Sequence, residues 1–105
     1  MDDFIVILCT TDKFDIAKAI SKHLVENKLV ACSNIIPNIT SIYRWEGKVC
    51  EDSEYLMIIK TKTSLLSCVK EEIQKLHPYD VPEIIAIPIS DGSKAYLDWL
   101  TSSVK

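Results

Sequence analysis

Two side chains in this 105-residue sequence carry the chemistry of a transition-metal ligand in a setting that singles them out. Cys9 closes the apolar run that starts at Phe4, and a thiolate there would suit copper or zinc. His77 stands directly before Pro78-Tyr79-Asp80, and a neutral imidazole ligates the same metals and titrates near physiological pH. Each also has a plainer role. Free cysteine is most often a small interior hydrophobe, and a histidine at a helix end can satisfy the carbonyls left open there. A lone histidine with no second ligand at local spacing favours the cap.

The remaining candidates are weaker. Cys32 follows Ala31 inside an extended segment, where a small thiol packs well in a core, whereas Cys50 and Cys68 fit surface or half-buried positions. His23, between Lys22 and Glu26, reads as solvated. The four cysteines form no C-x-x-C pair and no zinc-ribbon spacing, so they are expected to be free thiols, two of them buried. Tyr43, Arg44, Trp45 and Glu46 cluster at a hairpin tip. Such residues can bind a ligand, but they are also what protein interfaces prefer. Lys60, Lys62, Tyr79 and Glu83 are candidates for an inter-subunit cleft, with surface ion pairs as the alternative.

Several classes of function find no support. With only two glycines there is no phosphate-binding loop, and neither a G-x-S-x-G elbow nor an H-E-x-x-H pair occurs, so no enzyme is expected. Twelve basic residues scattered among fifteen acidic ones argue against nucleic acid. No apolar run nears the ~20 residues of a membrane span. Met1-Asp2-Asp3 is not the basic start of a secretory leader. The expectation is a soluble, cytoplasmic protein with no membrane insertion.

The positions of these residues follow from the elements around them. Pro78 forces His77 out of the α region and ends a helix, Pro82 does the same to Val81, and the run after Glu83 reads as a strand. Phe4 to Cys9 is a central strand. Thr11-Asp12 offers caps for a helix over roughly 13–27, with Ile16, Ala17, Ile20 and Leu24 as its apolar stripe. Val30 to Trp45 and Val49 to Lys62 form a long hairpin about a tight Glu46-Gly47 reversal, with Pro37 tolerable only at an edge, bulge or bend. Ser64 is positioned to cap a second helix with Leu66, Val69, Ile73 and Leu76 at helical spacing. Ile84 to Ile89 is the fourth strand, and a short helix follows Asp91-Gly92-Ser93.

The order β-α-β-β-α-β plus a terminal helix predicts one α+β domain over residues 1–105 with the ferredoxin-like pattern. Both larger helices would cover one face of an antiparallel sheet. The other face and the overlong hairpin are left for association.

Four anchors, in this order, resemble the CutA family of divalent-cation tolerance proteins: Leu8-Cys9-Thr10, Ala31-Cys32 through Pro37, Ser41-Ile42-Tyr43-Arg44-Trp45-Glu46-Gly47-Lys48, and His77-Pro78-Tyr79 with Pro82-Glu83. The resemblance runs from Ile5 to Leu100. It implies a homotrimer with sheets packed about a threefold axis and a role in tolerance of copper and other divalent cations. It also implies a copper site built from the cysteine matching Cys9 and two adjacent histidines, the second matching His77. Leu76 stands where the first histidine would be, so binding is expected to be weak. The alternatives are a PII-like small-molecule sensor, against which the tight hairpin turn counts, and a partner-anchoring protein. An RNA-binding module would need a basic, aromatic sheet surface. An acylphosphatase-like enzyme would need an arginine in its first loop, and the only arginine is Arg44.

Overall fold

The computed structural model describes residues 4–105; Met1-Asp2-Asp3, on which the reading of no leader rests, lie outside them. The elements are β1 (Phe4–Thr11), α1 (Phe14–Glu26), β2 (Cys32–Trp45), β3 (Lys48–Lys62), α2 (Leu66–Leu76), β4 (Ile84–Pro88) and α3 (Lys94–Ser103), with one 3-10 turn at Thr63–Leu65. All strand pairs are antiparallel, in the order β2-β3-β1-β4. This is the α+β, ferredoxin-like arrangement with its C-terminal helix and extended β2-β3 hairpin. β1 is central, as its continuous apolar run requires.

The core lies between the sheet and the pair α1 and α2. Ile5, Ile7 and Cys9 from β1 meet Ala17, Ile20 and Leu24 from α1 and Val69 and Ile73 from α2, all buried. The apolar stripes of both helices are therefore where the 3.6-residue period puts them. Leu76, the last of the α2 series, is instead 43% exposed.

Helix ends depart from the sequence reading. Thr11 belongs to β1, where it pairs with Tyr55, and the α1 cap position falls on Lys13 with no side-chain bond. Ser64 likewise lies inside the 3-10 turn, and the residue before α2 is Leu65. Strand pairing in one case and the tight turn in the other take up the residue that local rules assign as a cap. The end of α1 is satisfied locally. Leu29 N–H reaches Leu24 O at 3.0 Å, and Lys28 takes φ +58°, a left-handed position usually filled by glycine. His23 is not simply solvated, because its Nε2 lies 2.8 Å from Glu72 Oε1 and ties α1 to α2.

The opposite face of the sheet alternates with the core face. Val6, Leu8 and Thr10 on β1 stand beside Lys60, Ile58 and Leu56 on β3 and, at the first two, Ile87 and Ile85 on β4. Ile85 and Ile87 are 50% and 47% exposed. β1 ends opposite Tyr55, so β3 from Lys48 to Glu54 pairs with β2 alone. Those seven residues carry the hairpin roughly 23 Å beyond the sheet, which accounts for a long axis of 44 Å against 25 and 22 Å.

Two devices shape the hairpin. Glu46 and Gly47 both have positive φ, +51° and +77°, as a two-residue turn matched to strand twist demands. Lower down, the register passes from Ile36 opposite Leu56 to Ile39 opposite Glu54, so Pro37 and Asn38 together face Tyr55 in a β-bulge on an edge strand. Asn38 has φ +58° there. This is a position where Pro37 costs no ladder hydrogen bond.

Candidate functional site

His77 sits where Pro78 puts it, one residue past α2 and extended (φ −81°, ψ 135°), yet its ring does not cap the helix. The ring turns inward to β1: Nε2 lies 2.7 Å from Thr10 O, and Nδ1 accepts the Tyr79 N–H at 3.1 Å. With Nδ1 as acceptor, Nε2 carries the proton and donates to the carbonyl. The residue is 7% exposed, and Tyr79 packs edge-on against it with ring centroids 4.6 Å apart. His77 is thus a buried brace between β1 and the loop after α2.

Cys9 is fully buried, in the core among Ile7 and Met57. Burial foremost, and then the charges of Glu83 and Glu54, push its thiol from 9.0 up to about 12. A preassembled copper site does not fit this pair. The thiol is held neutral, both imidazole nitrogens are engaged, and among the described residues no group of three or more His, Cys, Asp or Glu is placed to hold a metal. Only Cys9 of the four free cysteines is buried, rather than two. Cys32 is half-buried on the face away from α1 and α2, its Sγ 3.5 Å from Tyr96 Oη, and that contact pushes the Tyr96 phenol up to about 12. Cys50 and Cys68 are half-buried and exposed.

The brace positions a cleft. Tyr79, held through its backbone by His77, donates its hydroxyl to Glu54 Oε2 at 2.8 Å. Its phenol is raised well above the ordinary tyrosine range by burial and by that carboxylate. Beyond the bulge, Ile39, Ser41, Tyr43 and Trp45 share the face of Glu54, which is also the face of Thr10. The hairpin and the loop from Pro78 to Glu83 therefore enclose a cleft of about 630 Å³ lined by Thr10, Ser41, Ile42, Tyr43, Trp45, Glu54, Pro78, Tyr79, Asp80, Val81 and Glu83. Tyr43 donates to Asp52, which raises its phenol to about 12.

Of the candidate cleft residues, Tyr43, Trp45, Tyr79 and Glu83 are brought together. Lys60 and Cys32 pair with each other across β2 and β3, and Lys60 donates to Asn34 Oδ1. Lys60 lies six residues, roughly 20 Å, along β3 from Glu54. Glu46 is at the turn apex, outside the cleft. Glu54, 6% exposed, is the important wall residue that sequence reasoning missed. The available signal was alternation: Glu54 is two residues from Leu56 on the same face of β3.

These features define a class of small α+β proteins of ferredoxin-like topology with an overlong hairpin beside a cleft. Within that class, residues 5–103 match the family described as "CutA1 divalent ion tolerance protein", and the chain belongs to that family. It is 52% identical over 95 residues to a divalent-cation tolerance protein CutA of Thermus thermophilus, covering 90% of this chain and 92% of that one. It is 48% identical to the chloroplastic protein CutA of Arabidopsis thaliana, covering 96% of this chain but 56% of the plant protein. The solved Cut A1 structure from Thermus thermophilus superposes with a TM-score of 0.94 at 48% identity, covering both chains completely.

Proposed function

We propose that this protein acts as a homotrimer in the response to divalent cations, through association and cation contact rather than turnover. The observation that carries the trimer is the uncovered sheet face. Ile85 and Ile87 remain half exposed beside Leu8 and Ile58, and the hairpin projects past β1 with Trp45 49% exposed. Such a patch, with two unpaired strand edges, is resolved by packing against further copies. Sedimentation equilibrium at micromolar concentration tests this, with a trimer mass expected; a monomer sinks the proposal. The four unpaired thiols suit a reducing compartment such as the cytoplasm.

Copper contact through Cys9 and His77 is the finer part of the proposal, and it is weak. Binding there must take a proton from a buried thiol and free one imidazole nitrogen from Thr10 or Tyr79. Calorimetric titration of reduced protein with Cu(I), Cu(II) and Zn(II) tests it, with Cys9→Ser and His77→Ala as variants. Unchanged copper affinity in both variants removes these residues from the proposal and leaves the trimer standing.

A further inference from the structure

The segment that joins β4 to α3 contains Asp91-Gly92, a dipeptide with a reactivity of its own. A backbone nitrogen that reaches the carboxyl carbon of the preceding aspartate closes a five-membered succinimide ring. A side chain on the attacking residue crowds that approach, and glycine has none. Asp91 is the only aspartate in the sequence followed by glycine, and no asparagine precedes one.

The structure adds the arrangement that the reaction needs. Asp91 Oδ1 accepts the Gly92 N–H at 2.8 Å, so the carboxyl is folded against the nitrogen that must attack it. Both residues are exposed and lie outside helix and strand, where no ladder holds the backbone in place. The other described aspartates each lack a part of this. Asp15 and Asp98 are inside helices, Asp52 is paired with Ser41 in the β2-β3 ladder, and Asp12 and Asp80 precede Lys13 and Val81. The segment follows the last pair of β4, Pro88 with Ile5, and is on neither the hairpin nor the sheet face. The inference therefore does not rest on the trimer or on copper.

We propose that Asp91 is a site of spontaneous backbone isomerisation to isoaspartate. With the carboxyl protonated, the lone pair of the Gly92 nitrogen forms a bond to Cγ, the amide proton is lost and the carboxyl hydroxyl leaves as water. Water then opens the ring at one of two bonds. Breaking the bond from nitrogen to Cγ restores aspartate. Breaking the bond from nitrogen to the main-chain carbonyl carbon gives isoaspartate, with the main chain rerouted through Cβ and Cγ. One water leaves and one returns, so no oxidant or cofactor takes part. The product lengthens the chain by one methylene just before the cap of α3. There Ser93 accepts the Tyr96 N–H on Oγ at 3.3 Å and the Leu97 N–H on its carbonyl at 3.0 Å. Isomerisation loosens that first turn.

The test incubates intact protein at neutral pH and physiological temperature, samples it over weeks, and distinguishes isoaspartate from aspartate in each peptide by electron-transfer fragmentation. Isoaspartate should accumulate at Asp91 well ahead of Asp12, Asp52 and Asp80, and at least as fast in native as in urea-denatured protein. Gly92 is not in the left-handed region, so Gly92→Ala is compatible with the backbone and should slow the reaction at least about threefold. An added Cβ would stand 3.3 Å from Leu97 Cδ2. Should that contact prevent folding, Asp91→Glu keeps the charge and the glycine but needs a six-membered ring, and should leave position 91 unmodified. In the chromatographically separated isoaspartate form, the Tyr96 and Leu97 amides should exchange hydrogen faster. A rate at Asp91 no greater than at Asp52 overturns the inference, as does native protein reacting about threefold or more slower than denatured. Equal exchange in the two forms overturns the effect on α3.

Discussion

The thiol of Cys9 allows a quantitative test of how the core treats a candidate ligand. With its ionisation moved from 9.0 to about 12, the thiolate fraction at pH 8 falls from about one in ten to about one in ten thousand, a thousandfold loss. A more basic thiolate is intrinsically more nucleophilic. With a Brønsted slope of about 0.45, the three-unit rise recovers roughly twentyfold. The net expectation is alkylation about fiftyfold slower than for an ordinary cysteine, before limited access to a fully buried sulfur slows it further. The exposed Cys68 is the internal reference. Native protein is treated with iodoacetamide at pH 8, quenched over time, and both peptides are quantified by mass spectrometry. Cys68 should react at an ordinary rate while Cys9 lags by fiftyfold or more, and denaturant should bring the two together. Native Cys9 alkylating within fivefold of Cys68 would refute the reasoning, and the thiol would then be a readily available metal ligand.

The same thiol predicts alkaline behaviour. Its folded ionisation lies above the unfolded value, so its neutral form favours folding fully below pH 9, and that contribution drains away as pH rises toward 12. Denaturant midpoints should therefore fall more steeply over that window in wild type than in Cys9→Ala, by an amount on the order of 4 kcal/mol at most; parallel curves contradict it. Ile85→Asp places a charge on the uncovered face, where half-exposed Ile85 has on the order of 1 kcal/mol of burial still to gain per protomer. It should dissociate the proposed trimer while leaving the monomer's circular dichroism intact, and an unchanged sedimentation profile counts against that interface. Thiol counting on protein denatured without reductant should find four, and a count of two would reveal a disulfide. Leu76→His should strengthen copper binding in calorimetry if Cys9 and His77 contribute, and equal isotherms would exclude that.

The strand and helix pattern was legible because each element carries its own period, from the α1 stripe of Ala17, Ile20 and Leu24 to the continuous run of β1. Pro37 announced its bulge, and Pro78 fixed the backbone of His77. Thr11 and Ser64 were misread as caps because their roles depend on Tyr55 across the sheet and on a tight turn, which local rules do not contain. At the site, Tyr43, Trp45, Tyr79 and Glu83 were visible as candidates because their residue types are unusual where they stand. Glu54 looked like one more surface carboxylate. Its burial depends on Tyr79, 25 residues away, reaching it from a loop that His77 holds down.

The bulge at Pro37 and Asn38 behaves like a slipped reading frame that the pairing absorbs. Side chains along a strand alternate, so one extra residue exchanges which parity of residue number shares a face: Asn34 and Ile36 stand with Leu56 before the bulge, whereas Ile39, Ser41, Tyr43 and Trp45 stand with Glu54 beyond it. Excising one of the two bulge residues, with the Ile36 and Trp45 ends of the hairpin held by their partners, would restore plain alternation and leave Tyr43 and Trp45 on the side of Glu54. What the deletion would remove is the local bend and added twist that the extra residue brings. The composition of this surface is thus held by the register that the Glu46-Gly47 turn sets, and the bulge governs the angle at which the hairpin presents it.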